Sequence, residues 1–269
     1  MKQKLNILTL CYLLFLILLF LSGMTAGILS DVIYFLAFVL PFVFVIYRTK
    51  GEKGEKALTV SMTKDDVCFT IPLVAPTVSA IIIVSALTSL LIFATTGKTN
   101  EVDVGDNLFF ALISHALLPA FLEEMLFRYL PLRLLANHSK RATVLASAFF
   151  FALIHHNLFS IPYAFLAGVI FMAVDLAVGS VIPSFIIHFV NNALSVGLLV
   201  CADNPAFAPA IYIILGVLTA VSLCVVFVKR KVYLKRFASV FQKGEEVKIT
   251  VEMLIFAGLT LSIALLSFV

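Results

Sequence analysis

Residues 121–130 read FLEEMLFRYL, two adjacent glutamates and an arginine inside a run that is otherwise apolar. Ionisable groups at membrane depth are costly and by default mark function. The surrounding chain makes that depth the relevant one. It is 62% hydrophobic and only 13% charged, with a mean hydropathy of +1.13, where soluble domains carry roughly 25% charged residues. The composition therefore predicts an all-α, polytopic integral membrane protein. No polar stretch approaches the roughly 50 residues that a separate soluble domain needs, so residues 1–269 form a single transmembrane domain. Two later apolar segments carry polar residues of their own, FALIHH at 151–156 and HFVNN at 188–192.

A helix needs about twenty apolar residues to cross the hydrocarbon core. That ruler places helices near 5–28, 32–47, 69–94, 107–136, 142–159, 161–178, 181–200, 209–228 and 250–268, about eight or nine spans. Pro183 suits the first turn of its helix, where a missing N–H costs nothing. The first apolar run is longer than a signal-peptide core of roughly 7–15 residues and reads as a retained helix. The C-terminal residues form no prenylation or retention signal.

Basic residues cluster at Lys2 and Lys4, between Arg48 and Lys64, from Arg128 to Arg141 and from Lys229 to Lys248. In this helix pattern they share one side with only Lys98 opposite, whereas Asp31, Glu101, Asp103, Asp106 and Asp203 occupy the other loops. The positive-inside rule then puts the N-terminus in the cytoplasm and the C-terminus outside. Cys11, Cys68, Cys201 and Cys224 are scattered, without metal-ligand spacing or a disulfide pattern. No basic patch interleaved with exposed aromatics suggests nucleic acid. Nor is there the internal repeat that would favour a transporter.

Helical geometry separates the two glutamates. Glu124 and Arg128, four apart, share a face as an ion pair, which leaves Glu123 pointing elsewhere and free for chemistry or a partner. His155 and His156 cannot both serve one site. His188 and Asn192 lie four apart on one face, and in lipid both must meet partners, whether in a site or as glue between helices. A rise of 1.5 Å per residue puts Glu123 and His155 roughly 20 Å, and His188 and Asn192 roughly 10 and 16 Å, from their cytoplasmic helix ends. The three segments thus reach comparable depths. His115, about 80° round the helix from Glu123, is a further candidate for the same cavity. Asp175 reads as solvated at a cytoplasmic helix end, Asn157 and Asn191 as turn or packing residues, and Pro119 and Pro131 as sources of a kink.

Taken together, Glu123-Glu124-x-x-x-Arg128, Phe151-x-x-x-His155 and His188-x-x-x-Asn192 resemble, in order and spacing, the three motifs of the CPBP intramembrane proteases. These comprise the CAAX-processing endopeptidases and prokaryotic relatives linked to bacteriocin processing or self-immunity. The resemblance covers residues 109–195 and implies a catalytic core near 107–200. It further implies hydrolysis of a peptide bond in a membrane-associated or lipidated peptide or protein. On that resemblance Glu123 is the general base that activates water, with His155 helping to hold it. His188 and Asn192 are the oxyanion donors, and Glu124 and Arg128 are supporting residues. Two histidines and a glutamate could ligate zinc (Glu123, His155 and His188). However, no His-Glu-x-x-His helix is present and Asn192 suits an oxyanion better, so a metal-free route with no cofactor is expected. The site is expected to open to the cytoplasm of a prokaryotic plasma membrane. The rival readings are a non-catalytic immunity or binding protein and a transporter using the same polar groups. Substrate identity and oligomeric state are not legible in these residues.

Overall fold

The computed structural model describes residues 2–48, 60–100, 102, 104–105, 107–135, 138–242 and 249–266, among which there is no β-strand. The helices are α1 (Lys2–Gly23), α2 (Ile28–Arg48), α3 (Lys64–Thr96), α4 (Leu108–Leu135), α5 (Lys140–Leu153), α6 (Ile161–Val178), α7 (Ile182–Val200), α8 (Phe207–Val228), α9 (Arg230–Val240) and α10 (Val251–Leu266). Seven of them are long and apolar enough to cross a membrane: α1 to α4 and α6 to α8. The further spans expected from sequence correspond to α5 and α10, which are shorter than the roughly twenty residues a crossing helix needs. Glu101, Asp103, Asp106, the lysines at 50, 53 and 56, and the expected helix ends at 136 and 267–268 lie outside the described residues.

Three boundaries differ from the expected ones for local reasons. The helix expected over 142–159 stops at Leu153. There the chain turns: His156 adopts a left-handed backbone with φ of 47°, and the Asn157 side chain accepts the Phe159 N–H at 2.8 Å. Helix α3 starts earlier than expected, at a capping box. The Asp66 N–H donates to Thr63 Oγ1 and the Thr63 N–H to Asp66 Oδ2, satisfying donors that have no partner within the helix. Helix α9 was not expected, because its sequence RKVYLKRFASV is too charged to cross a membrane. It packs by Tyr233 and Val240, which are buried.

The core is aromatic and joins the two ends of the chain to α4. Tyr12 of α1 stacks on Phe127 at 4.9 Å and meets Phe150 of α5 and Phe256 of α10. Helix α6 lies against α5 because Gly168 permits it. A Cβ at that position would come within 2.7 Å of Ala148 Cα, closer than any substituent allows without displacing backbone. Helix α8 buries none of its residues and is tied to α3 by a Ser79–Thr219 hydrogen bond of 2.8 Å.

Candidate active site

Helix α4 carries the glutamates, and its irregular winding determines what they meet. It contains two π-helical stretches, Leu112–Leu117 and Met125–Tyr129, followed closely by Pro119 and Pro131. Proline has no N–H to give the carbonyl four residues back; for Pro131 that carbonyl is Phe127 O. Its acceptor capacity is used instead by Ser147 Oγ–H at 2.6 Å and Arg128 Nη1–H at 3.2 Å. The neighbouring Leu126 O accepts from the Tyr12 hydroxyl at 3.1 Å. The backbone groups released by the proline and the π winding are thus satisfied from α1 and α5, as an apolar surrounding requires.

Arg128 is entirely buried, so this is no solvated helix end. Its Nε lies 3.0 Å from Glu124 Oε2, the expected pair four residues apart, and its Nη1 donates to Ser147 Oγ at 3.1 Å. The guanidinium also stands 4.4 Å from the centre of the Phe151 ring, a cation–π contact strengthened by desolvation. Glu124, 2% exposed, uses its other oxygen to accept the His188 Nδ1–H at 2.8 Å. One chain of charge-assisted contacts therefore runs from Ser147 through Arg128 and Glu124 to His188, linking α5, α4 and α7.

With Nδ1 engaged, the far edge of the His188 ring faces Glu123, whose Oε2 is 3.8 Å from Nε2. That oxygen is buried and makes no hydrogen bond among the described residues. The separation expected between the two glutamates is confirmed in one respect and extended in another. Glu124 belongs to the arginine, yet both carboxylates approach the same imidazole from opposite edges.

His155 sits just beyond the end of α5, where its Nδ1–H donates to Phe151 O at 2.8 Å. Its ring meets Phe151 edge-on at 4.9 Å and lies 6.3 Å from the Tyr163 ring. Glu123, His155, His188, Asn192 and also His115 line one cavity of about 880 Å³. The Asn191 Nδ2–H donates to Asn192 Oδ1 at 3.2 Å, and Asn191 lines the same space. Sequence reading had given Asn191 only a packing role. Tyr163 was missed; it carries no motif spacing and reaches the cavity because α6 lies beside the α5 turn.

One expectation is corrected. Asp175 is fully buried. Its Oδ1 accepts the Ser184 N–H at 2.9 Å, so it caps the start of α7 across the tight α6–α7 turn at Gly179. The cavity walls run from Glu123 and Phe171 to Lys98, Thr99, Asn100 and Val102 in the α3–α4 loop, the last four exposed. Phe127, Arg128, Leu130 and Asp175 are buried.

Nδ1 of both His155 and His188 is hydrogen-bonded, which leaves Nε2 of each ring as its remaining nitrogen. Among the described residues no three His, Cys, Asp or Glu side chains are grouped closely enough to hold a metal ion as they stand.

Residues 105–194 match the family model described as type II CAAX prenyl endopeptidase Rce1-like. That match supports a likeness of this segment to the CPBP/CAAX protease family. The segment contains every motif residue around the cavity, Glu123, Glu124, Arg128, His155, His188 and Asn192. No curated protein and no solved structure matches the chain. The match covers about a third of a chain whose described residues form an all-helical fold with seven helices long and apolar enough to cross a membrane.

Proposed function

We propose that the protein is an endopeptidase that hydrolyses a peptide bond of a membrane-associated or lipidated peptide or protein, using water activated by Glu123. The observation that carries this reading is Glu123 Oε2, a carboxylate oxygen at the cavity wall without a hydrogen bond among the described residues and 3.8 Å from an imidazole nitrogen. In the proposed reaction Glu123 takes a proton from water as the water oxygen adds to the substrate carbonyl carbon. The resulting oxyanion accepts hydrogen bonds from the Asn192 amino group and from Nε2–H of His188 in its doubly protonated form, the ring's Nδ1–H being held by Glu124. Donors of that kind are typically worth about 2.7–4 kcal/mol each. As the carbon–nitrogen bond breaks, the leaving amine takes the proton from Glu123. Glu124 and Arg128 fix the ring of His188, and His155, anchored on Phe151 O, borders Glu123 and helps hold the water. No step is routed through a metal.

The test compares peptide termini in membranes from cells carrying the wild type and cells carrying Glu123→Gln at matched expression. Termini that vanish only in the variant establish proteolysis and identify substrates. Unchanged termini, with the wild-type phenotype retained by the variant, overturn the catalytic reading and favour a binding or immunity role. A chelator added to the purified reaction should leave the rate unchanged; inhibition reversed by zinc would overturn the metal-free route.

A further inference from the structure

From the position of the cavity mouth we infer that the site is served from the extracytoplasmic face, so that its substrate is a flexible peptide segment already across, or anchored outside, the membrane. This rests on the proteolytic reading for what happens in the cavity, but not for which way the cavity faces. Two independent observations combine. The first is the opening. The mouth is formed by the α3–α4 loop at Lys98, Thr99 and Asn100, with Leu199 at the end of α7 and Tyr212 near the start of α8. None of the described residues at the basic end of α4, α5 or α9 lines the cavity, and Phe127, Arg128, Leu130 and Asp175 below it are buried.

The second is charge. Of the 19 lysines and arginines, Arg128 is internal and Lys98 stands at the mouth. All the others fall in sequence before or at the start of α1, from the end of α2 to the start of α3, from the end of α4 to the start of α5, or beyond Val228. The described helix ends that flank those segments, at Lys2, Arg48, Lys64, Leu135, Lys140 and Val228, lie at the end of the bundle remote from the mouth. Short loops rich in lysine and arginine stay in the cytoplasm, so the mouth faces away from it.

The depth of the cavity narrows the substrate further. Glu123 lies about 22 Å along α4 from Leu108, at 1.5 Å per residue. An extended chain covers that distance in about seven residues at roughly 3.3 Å each. Side chains that can bond to a peptide backbone stand along the route: Ser85 and Ser89 on α3, Asn100 at the mouth, and Asn191 and Ser195 on α7. A folded domain does not enter; an unstructured terminus or loop does. A cytoplasmic tail that never crosses the bilayer would meet the end remote from the mouth.

Facing is measured without reference to activity. In a chain whose four cysteines are replaced by serine or alanine, Thr99→Cys and Asp203→Cys report the mouth end, and Lys235→Cys on α9 reports the basic end. All three positions are exposed. Spheroplasts of a bacterial host are treated with a membrane-impermeant maleimide before and after permeabilisation. The expected result is equal labelling of the position 99 or 203 variant in both conditions, and labelling of position 235 only after permeabilisation. The reverse pattern overturns the inference. Position 203, outside the cavity, decides the matter should the mouth shield position 99. Because Glu123→Gln does not alter these labels, a failed topology and a failed protease reading are told apart.

Discussion

Two neighbouring carboxylates have been given opposite duties by one turn of helix. Glu124 is a structural anion, held between Arg128 and His188, whereas Glu123 borders the cavity with an unbonded oxygen. Arg128→Met would strand Glu124 in the interior, and breaking a buried pair from one side typically costs about 3–5 kcal/mol. Thermal unfolding in detergent should show that loss, and adding Glu124→Gln to the same chain should recover much of it. Glu123→Gln should leave the unfolding temperature nearly unchanged while lowering kcat by about 10²–10⁴-fold, the usual worth of a positioned acid–base group. The pairing of Glu124 with Arg128 is legible from their spacing. That Asp175 is buried is not, since its distance from a helix end suggests water and only the folded α6–α7 turn brings the Ser184 N–H to it.

At the scale of the element, α4 is a helix built around prolines that its partners accommodate. Ser147→Ala removes the shortest bond to Phe127 O, and an under-satisfied buried acceptor costs about 1–3 kcal/mol. The same substitution should cost less in a Pro131→Ala background, where a restored backbone N–H competes for that carbonyl; a double-mutant cycle on unfolding free energies measures the difference. Gly168→Ala forces α6 away from Ala148 and should destabilise by about 1–3 kcal/mol, as overpacking does. Because α5 and α6 also carry His155 and Tyr163, its turnover should fall more than its stability alone explains, and assays well below the unfolding temperature separate the two. The prolines and the apolar spans could be read from sequence. The end of α5 at Leu153 could not, because residues 154–160 hold neither proline nor glycine to mark a stop and the turn depends on the backbone of His156 and the side chain of Asn157.

For the whole molecule, the cavity extends from the α3–α4 loop to Glu123 and His188, beside the buried ion pair. Ser89→Phe, on its wall between mouth and floor, should slow cleavage of peptides that must reach Glu123 while leaving the unfolding temperature in place; equal loss of both would mean a packing role instead. Composition alone determined that this chain is an all-helical membrane protein, since so few charges over so long a chain leave no alternative way to satisfy the backbone. Spacing alone determined that Glu124 pairs with Arg128 and that His188 and Asn192 share a face, because helical periodicity is local. Only the tertiary structure decided that both glutamates flank one imidazole, that Asp175 is a cap, and that the cavity reaches the α3–α4 loop. Those facts depend on which helices touch, and contacts between segments as distant as α4 and α7 are set by packing that no single segment encodes.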